Sequence, residues 1–173
     1  MGALALDRMG QEPGAAMSRI KSKEPFVKHR RSMLESPAWR MLPHLAYQLL
    51  NRIELEHMRH GGKDNGRLVV TYTDVEKYAV CQNPRAIAQA VRQAEALGFL
   101  IVTRGRGGRG ASRQPNQFRL TYLEGQNGGP ATDEWTEIQS EEDARARLAG
   151  VKKRRPQTGW FRATNVVGFT RKS

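Results

Sequence analysis

Apolar residues recur at helical spacing through the middle of the chain and almost nowhere else. Leu45, Ala46, Leu49, Leu50 and Ile53 make one buried stripe on a helix that Gly61-Gly62 ends. Ahead of it, Ser36-Pro37 reads as an N-cap followed by proline at the first helical position, and a short helix is expected through Trp39 and Leu42. Pro43 is expected to restart helix at its own first position. Asn65-Gly66 is a turn signal, and Leu68-Val69-Val70 after it is a short β-rich run. Thr73, with Glu76 three residues on, has the spacing of a capping box and predicts a helix over 74–79. Cys81-Gln82 is a tight turn and Asn83-Pro84 a second cap-plus-proline start. The helix that follows is predicted from Pro84 to Leu97, stopping at Gly98.

The period then changes. Phe99–Thr103 reads as a strand, and Gln117–Tyr122 alternates polar and apolar as a half-buried strand does. The glycine- and arginine-rich residues Arg104 to Asn116 lie between them, so the pair is expected to form an antiparallel hairpin. The predicted class is α+β: a three-helix core with a small β-hairpin, ordered helix, strand, helix, turn, helix, strand, loop, strand. Three parts are expected. Residues 1–25 form a flexible N-terminal arm. Residues 26–123 form the domain, with Phe26 and Val27 pinned to it. Residues 124–173 hold a linker over 125–130, a short acidic helix from Ser140 to about Leu148, and a basic tail.

Charge changes this picture most. The 173 residues carry 29 Lys+Arg against 17 Asp+Glu, a net charge of +12. A chain this basic suits a polyanionic partner, because phosphate contacts release condensed counterions. The excess sits in the domain and in the last residues, whereas 124–150 is acidic. Cys81 is the only cysteine, which excludes an internal disulfide and a cysteine-based zinc cluster and suits a reducing cytoplasm. No apolar run approaches the roughly 20 residues of a membrane span, and the opening MGALALDRMG lacks the basic start of a signal peptide. The expected location is the cytoplasm, beside the nucleoid, with no membrane partner.

The helix over 84–97 carries the candidate chemistry. At 100° per residue Ile87, Val91, Ala94 and Leu97 share one side. Arg85, Gln89 and Arg92 share the opposite side, with Gln93 at its edge and Ala88 and Ala96 flanking it. Arginine can bridge guanine O6 and N7, and glutamine can pair with adenine N6 and N7, so this face suits the edges of bases in a major groove. A solvated helix face would look similar; the capped helix and tight turn before it and the basic hairpin after it favour the binding reading. In the loop, Arg104, Arg106, Arg109 and Arg113 occur without an acid, and its glycines allow close approach to a phosphate backbone or a narrow minor groove.

Other constellations are weaker. His57 and His60, beside Glu54 and Glu56, put two rings near one helix face without a third ligand group, and a favourable position at the helix C-terminus explains them. No nucleophile elbow, phosphate loop or zinc-protease signature occurs, so no catalytic residue, metal or cofactor is expected. The acidic 133–143 segment is a candidate shield for the basic surface. Lys152-Lys153-Arg154-Arg155 is a candidate second grip on phosphate, and Trp135, Trp160 and Phe161 are candidates for docking on the domain or on a partner.

The segment Ser36–Leu123 resembles the winged helix-turn-helix superfamily, in particular the N-terminal domain of phage and plasmid replication initiators and small helix-turn-helix proteins of alphaproteobacteria. The pieces that carry the resemblance are Asn65-Gly66 before a strand, ALGFLIV at the end of the recognition helix, and PNQFRLTYL closing the hairpin. It covers about half the chain and implies binding of double-stranded DNA through Arg85, Gln89, Arg92 and the loop arginines. The leading expectation is a bacterial transcriptional regulator. A role in replication or maintenance of a plasmid or phage is the alternative. A third reading, an RNA binder using the RGG-like loop, is disfavoured by the shortage of aromatic residues near that loop. A homodimer is compatible, since many such domains bind two half-sites.

Overall fold

The computed structural model describes residues 24–78, 80–105 and 114–153, with side chains to residue 151. Among these residues the protein is α+β, with six α-helices and one two-stranded antiparallel sheet. The helices are α1 (Arg31–Leu34), α2 (Pro37–Arg40), α3 (His44–Arg59), α4 (Tyr72–Lys77), α5 (Pro84–Ala96) and α6 (Glu141–Lys153). The strands are β1 (Leu100–Thr103) and β2 (Gln117–Leu120), paired in the register Leu100↔Leu120 to Thr103↔Gln117. Leu68 adds one more antiparallel bridge, to Phe118, rather than a full strand. None of the described helices is long and apolar enough to cross a membrane.

Local chemistry sets most element ends. Ser36 Oγ accepts from the Trp39 amide at 3.1 Å and starts α2 as its sequence requires. Pro43 is the N-cap of α3, not its first residue, so His44 begins that helix. Gly61 and Gly62, at φ +63° and +77°, close α3 with Gly62 N–H donating to His57 O and Gly61 N–H to Met58 O, a Schellman pair. The same pair ends α5, from Phe99 to Ala94 and from Gly98 to Glu95.

The capping box of α4 is shifted by two residues from the expected Thr73/Glu76. Thr71 accepts from the Asp74 amide, and the Asp74 carboxylate accepts from Thr71 N–H at 2.8 Å. Both pairs fit the threonine-x-x-acid spacing, and burial decides between them. With Thr71 as cap, Val70 stands just before the helix and Val75 at its fourth position, the apolar pair of a hydrophobic staple. Both are buried in the common core. With Thr73 as cap those positions would fall on Tyr72 and Lys77. Hydrogen bonding to Thr71 holds the Asp74 carboxyl below the usual range, against the opposing effect of burial.

The core lies between α3 and α5 and continues onto the sheet. Leu49, Leu50 and Ile53 of α3 join Ile87, Val91 and Ala94 of α5, Leu100 of β1, and Phe118 and Leu120 of β2. It does not stop at residue 123. Trp135, Ile138 and Ala144 belong to the same cluster, and α6 packs on α5 and α2. Ser140 caps α6, accepting from Asp143 N–H at 3.1 Å, and α6 runs to Lys153, beyond the expected end near Leu148. Gly98, at φ +76°, is tied to this join: a Cβ there would stand 2.5 Å from Trp135 N and 2.6 Å from Glu134 C.

Asn65 ties the turn before Leu68 to the end of the sheet. Its side chain is 1% exposed. Oδ1 accepts from Leu120 N–H at 2.7 Å, while Nδ2 donates to Leu120 O at 2.8 Å, Glu124 O at 3.0 Å and Leu123 O at 3.2 Å. The amide thus takes the place of a strand residue opposite Leu120. Asn65→Asp keeps the shape but sets carboxylate oxygen against three carbonyls. It is expected to cost about 3 kcal/mol or more at neutral pH. Part should return at acid pH, where the protonated carboxyl regains one donor. Urea denaturation across pH checks this; unchanged stability at neutral pH contradicts it.

The segment before α1 is anchored by His29 and Arg30. His29 Nε2 lies 2.7 Å from Oε1 of buried Glu54 on α3, which also accepts from the Tyr122 hydroxyl. The His29 ring stands edge-on to Trp39 and Tyr122. The hydrogen bond to Glu54 raises the His29 pKa above the usual 6.5, over the opposing effect of burial. Stability from this pair is complete below 6.5 and is lost as pH rises through the raised value. Burial lowers His57, so its contribution runs the other way: stability is lost as pH falls from 6.5 through the lowered value. His29→Gln is expected to flatten the fall on the alkaline side alone. A small drift remains from exposed His60, whose pKa is raised by its hydrogen bond to Asp64. Denaturant midpoints measured from pH 5.5 to 8.5 (about one unit below and two above the usual histidine value) test this; an unaltered alkaline slope contradicts it.

Candidate nucleic-acid interface

Among the described residues, three elements meet α5 and leave one side of it uncovered. Its amphipathic sequence places Ile87, Ala88, Ala90, Val91 and Ala94 in buried positions, with α3, β1 and α6 packed around it. Ala88 is 6% exposed, so it faces inward and does not flank the outer face as expected; burial of α5 extends further around the helix than one stripe. Ala96 remains half-exposed. Arg85 is exposed, and Gln89, Arg92 and Gln93 are half-exposed. From Arg85 to Arg92 the face runs about 10 Å along the helix axis.

The start of α5 is firmly built. Asn83 Oδ1 accepts from the amides of Arg85 at 3.0 Å and Ala86 at 3.4 Å, and Pro84 occupies the first position. The Tyr72 hydroxyl donates to Gln82 O, fixing the connection to the first residue of α4. The far end of α4 rests on Arg52, whose buried guanidinium donates twice to Glu56 Oε2 at 3.0 Å and lies 4.5 Å from the centre of the Tyr78 ring. Burial alone would raise the Glu56 carboxyl; Arg52, His60 and Arg59 outweigh it and hold that carboxyl below its usual range.

Charge pairing separates two groups of arginines. Arg30 pairs with Asp133, Arg40 with Glu141 at 2.6 Å, Arg52 and Arg59 with Glu56, and Arg147 with Glu137 and Asp143. The acidic 133–143 segment is therefore matched to Arg30, Arg40 and the arginines of α6 rather than to Arg85 and Arg92 on the outward face of α5. Among the described residues no carboxylate pairs with Arg85 or Arg92. Arg92 Nε is enclosed without a hydrogen-bond partner.

Of the loop arginines, Arg104 is described. Its Nη2 donates to Glu95 Oε2 at 2.7 Å, which joins the end of β1 to the C-terminal turn of α5. Glu95 lies one turn beyond Arg92, so the root of the hairpin stands beside the Arg92 end of the face; Arg85 is about 10 Å further along. Glu95 is the residue that sequence reasoning missed, though an acid three positions after Arg92 was visible. Arg106, Arg109 and Arg113 lie outside the described residues, as do Arg154, Arg155, Trp160 and Phe161. Trp135 docks on the chain's own core, with Arg30 over its ring. No group of three or more potential metal-ligating side chains occurs among the described residues, His57 and His60 included.

Comparison of the chain with protein-family models, curated proteins and solved structures finds no match. Asn83→Ala removes the acceptor for two amides at the start of α5 and is expected to cost about 1 kcal/mol, with fraying of the turn that carries Arg85. Chemical denaturation, with amide exchange at Arg85 and Ala86, measures it; unchanged exchange at both amides contradicts the capping role.

Proposed function

We propose that the chain is a duplex-DNA-binding protein on a winged helix-turn-helix. In this reading α3, α4 and α5 form the three-helix core, α5 is the recognition helix, and β1, β2 and the residues between them form the wing. The element order α3, Leu68 bridge, α4, α5, β1, loop, β2 supports it. One observation carries the proposal: most described arginines are paired with the chain's own carboxylates, and of the four that are not (Arg67, Arg85, Arg92 and Arg119) two, Arg85 and Arg92, lie together on the outward side of α5. Unpaired guanidinium groups on a helix flanked by Gln89 and Gln93 match the donor and acceptor pattern of major-groove edges.

The division of labour follows from the chemistry. Arg104, Arg106, Arg109 and Arg113 supply phosphate or minor-groove contacts and hence affinity; Arg85, Gln89, Arg92 and Gln93 supply selectivity. The protein performs no bond chemistry in this scheme and acts by occupying DNA, in transcriptional control. A genome-wide binding map with sites scattered over promoters supports that role, and a single cluster of repeats at an origin points to replication instead.

Arg92→Ala is expected to lose about 1–3 kcal/mol of discrimination at one base pair while leaving non-specific binding nearly intact. Competition with duplexes substituted one base pair at a time measures it. Retention of the full site preference would falsify the assignment of α5 as the reading helix.

A further inference from the structure

We infer that Glu95 is a built-in competitor for DNA phosphate at the root of the hairpin, holding Arg104 until a phosphate replaces it. The inference rests on the DNA-binding reading and deepens it. Its basis is the contact between Arg104 Nη2 and Glu95 Oε2 at 2.7 Å, made by side chains that are 51% and 35% exposed. Arg104 is thereby the one described arginine of the proposed interface that is already neutralised, while Arg85 and Arg92 are open.

Exposure makes the pair exchangeable. A solvent-facing ion pair is weak, so a phosphate oxygen presented to the same guanidinium can displace the carboxylate. Position makes the exchange consequential. Glu95 is one turn from Arg92, and Arg104 leads into the loop that carries the remaining arginines, so the pair stands where the helix and the hairpin meet. While the carboxylate stays beside it, Arg104 adds no net charge to the interface. Its contribution to affinity and to salt dependence is smaller than a free arginine's, which lowers adhesion to arbitrary DNA.

The full chain with Glu95→Gln tests this, with Arg104→Gln and the double variant alongside and Glu142→Gln as a control that removes an exposed acid of α6. Fluorescence anisotropy on a mixed-sequence duplex is measured between about 50 and 200 mM salt. Glu95→Gln is expected to bind several-fold more tightly at the low end, with log K falling more steeply against log salt by about 0.9, the share of one phosphate contact. Glu142→Gln should change the slope much less. In the Arg104→Gln background, Glu95→Gln should lose most of its gain. If Glu95→Gln leaves affinity and slope unchanged while the wild-type protein binds duplex DNA, the competitor role alone fails. It fails equally if the gain persists undiminished without Arg104. If the wild-type protein does not bind duplex DNA at all, both this inference and the DNA-binding reading fall.

Discussion

Among the described residues, helix α5 is enclosed by its neighbours on every side but one. It packs on α3 through Ile87, Val91 and Ala94, receives β1 directly after its Schellman turn, and meets α6 from the far end of the described chain. Ala88 and Ala90, small enough to sit beneath neighbouring elements, widen the buried arc beyond the stripe that a simple amphipathic helix would show. What is left is a narrow strip of long polar side chains. The strip is exposed because everything around it is needed for packing, and its position is as rigid as the core behind it. A site built on such a helix inherits geometric precision from its burial.

The two ends of the described chain reinforce this arrangement through charge and aromatic contacts. His29 reaches Glu54 inside the domain, Arg30 reaches Asp133 and covers Trp135, and Arg40 reaches Glu141. The segment before α1 and the segment around α6 therefore both pack on α2 and meet each other at Arg30 and Asp133. Gly98 sits at this join, where left-handed backbone and the approach of residues 134–135 leave no room for a side chain. The acidic stretch, which looks in the sequence like a counterweight to the basic surface, works as an internal partner for arginines elsewhere. Its removal from the α5 face leaves the charge there available.

Signals confined to a few neighbouring residues were the most legible in the sequence. Ser36-Pro37, Asn83-Pro84, Gly61-Gly62 and Gly98 each name their own backbone geometry, and the structure has caps or turns at all of them. The outward placement of Arg85, Gln89 and Arg92 followed from helical periodicity alone. What was not legible depended on contacts between distant residues. Thr71 and Thr73 are equivalent until the burial of Val70 and Val75 is known. Asn65 reads as a turn residue, yet its side chain is set by carbonyls some 55 residues away. Helix α1 has no periodic pattern of its own and forms beside the anchor made by His29 and Arg30. The extension of the core through Trp135, Ile138 and Ala144 is hidden by acidic neighbours that face outward. Glu95 was visible, but its partner Arg104 comes close only after the chain has turned at Gly98.

The Asn65-Gly66 step has one more consequence. An asparagine before glycine is the dipeptide most prone to spontaneous deamidation, in which the following backbone nitrogen attacks the side-chain amide carbon, closes a succinimide ring and expels ammonia. Here Gly66 N–H is held by Phe118 O at 3.1 Å, and the Asn65 amide is fixed at both ends and sealed from water. Closing the ring requires these hydrogen bonds to be broken. Each interval spent unfolded reopens the reaction, and hydrolysis of the succinimide leaves aspartate or isoaspartate where the fold requires an amide. The same residue that joins the turn to the sheet therefore acts as an irreversible record of time spent unfolded, and sets a chemical limit on how often one molecule can unfold and recover.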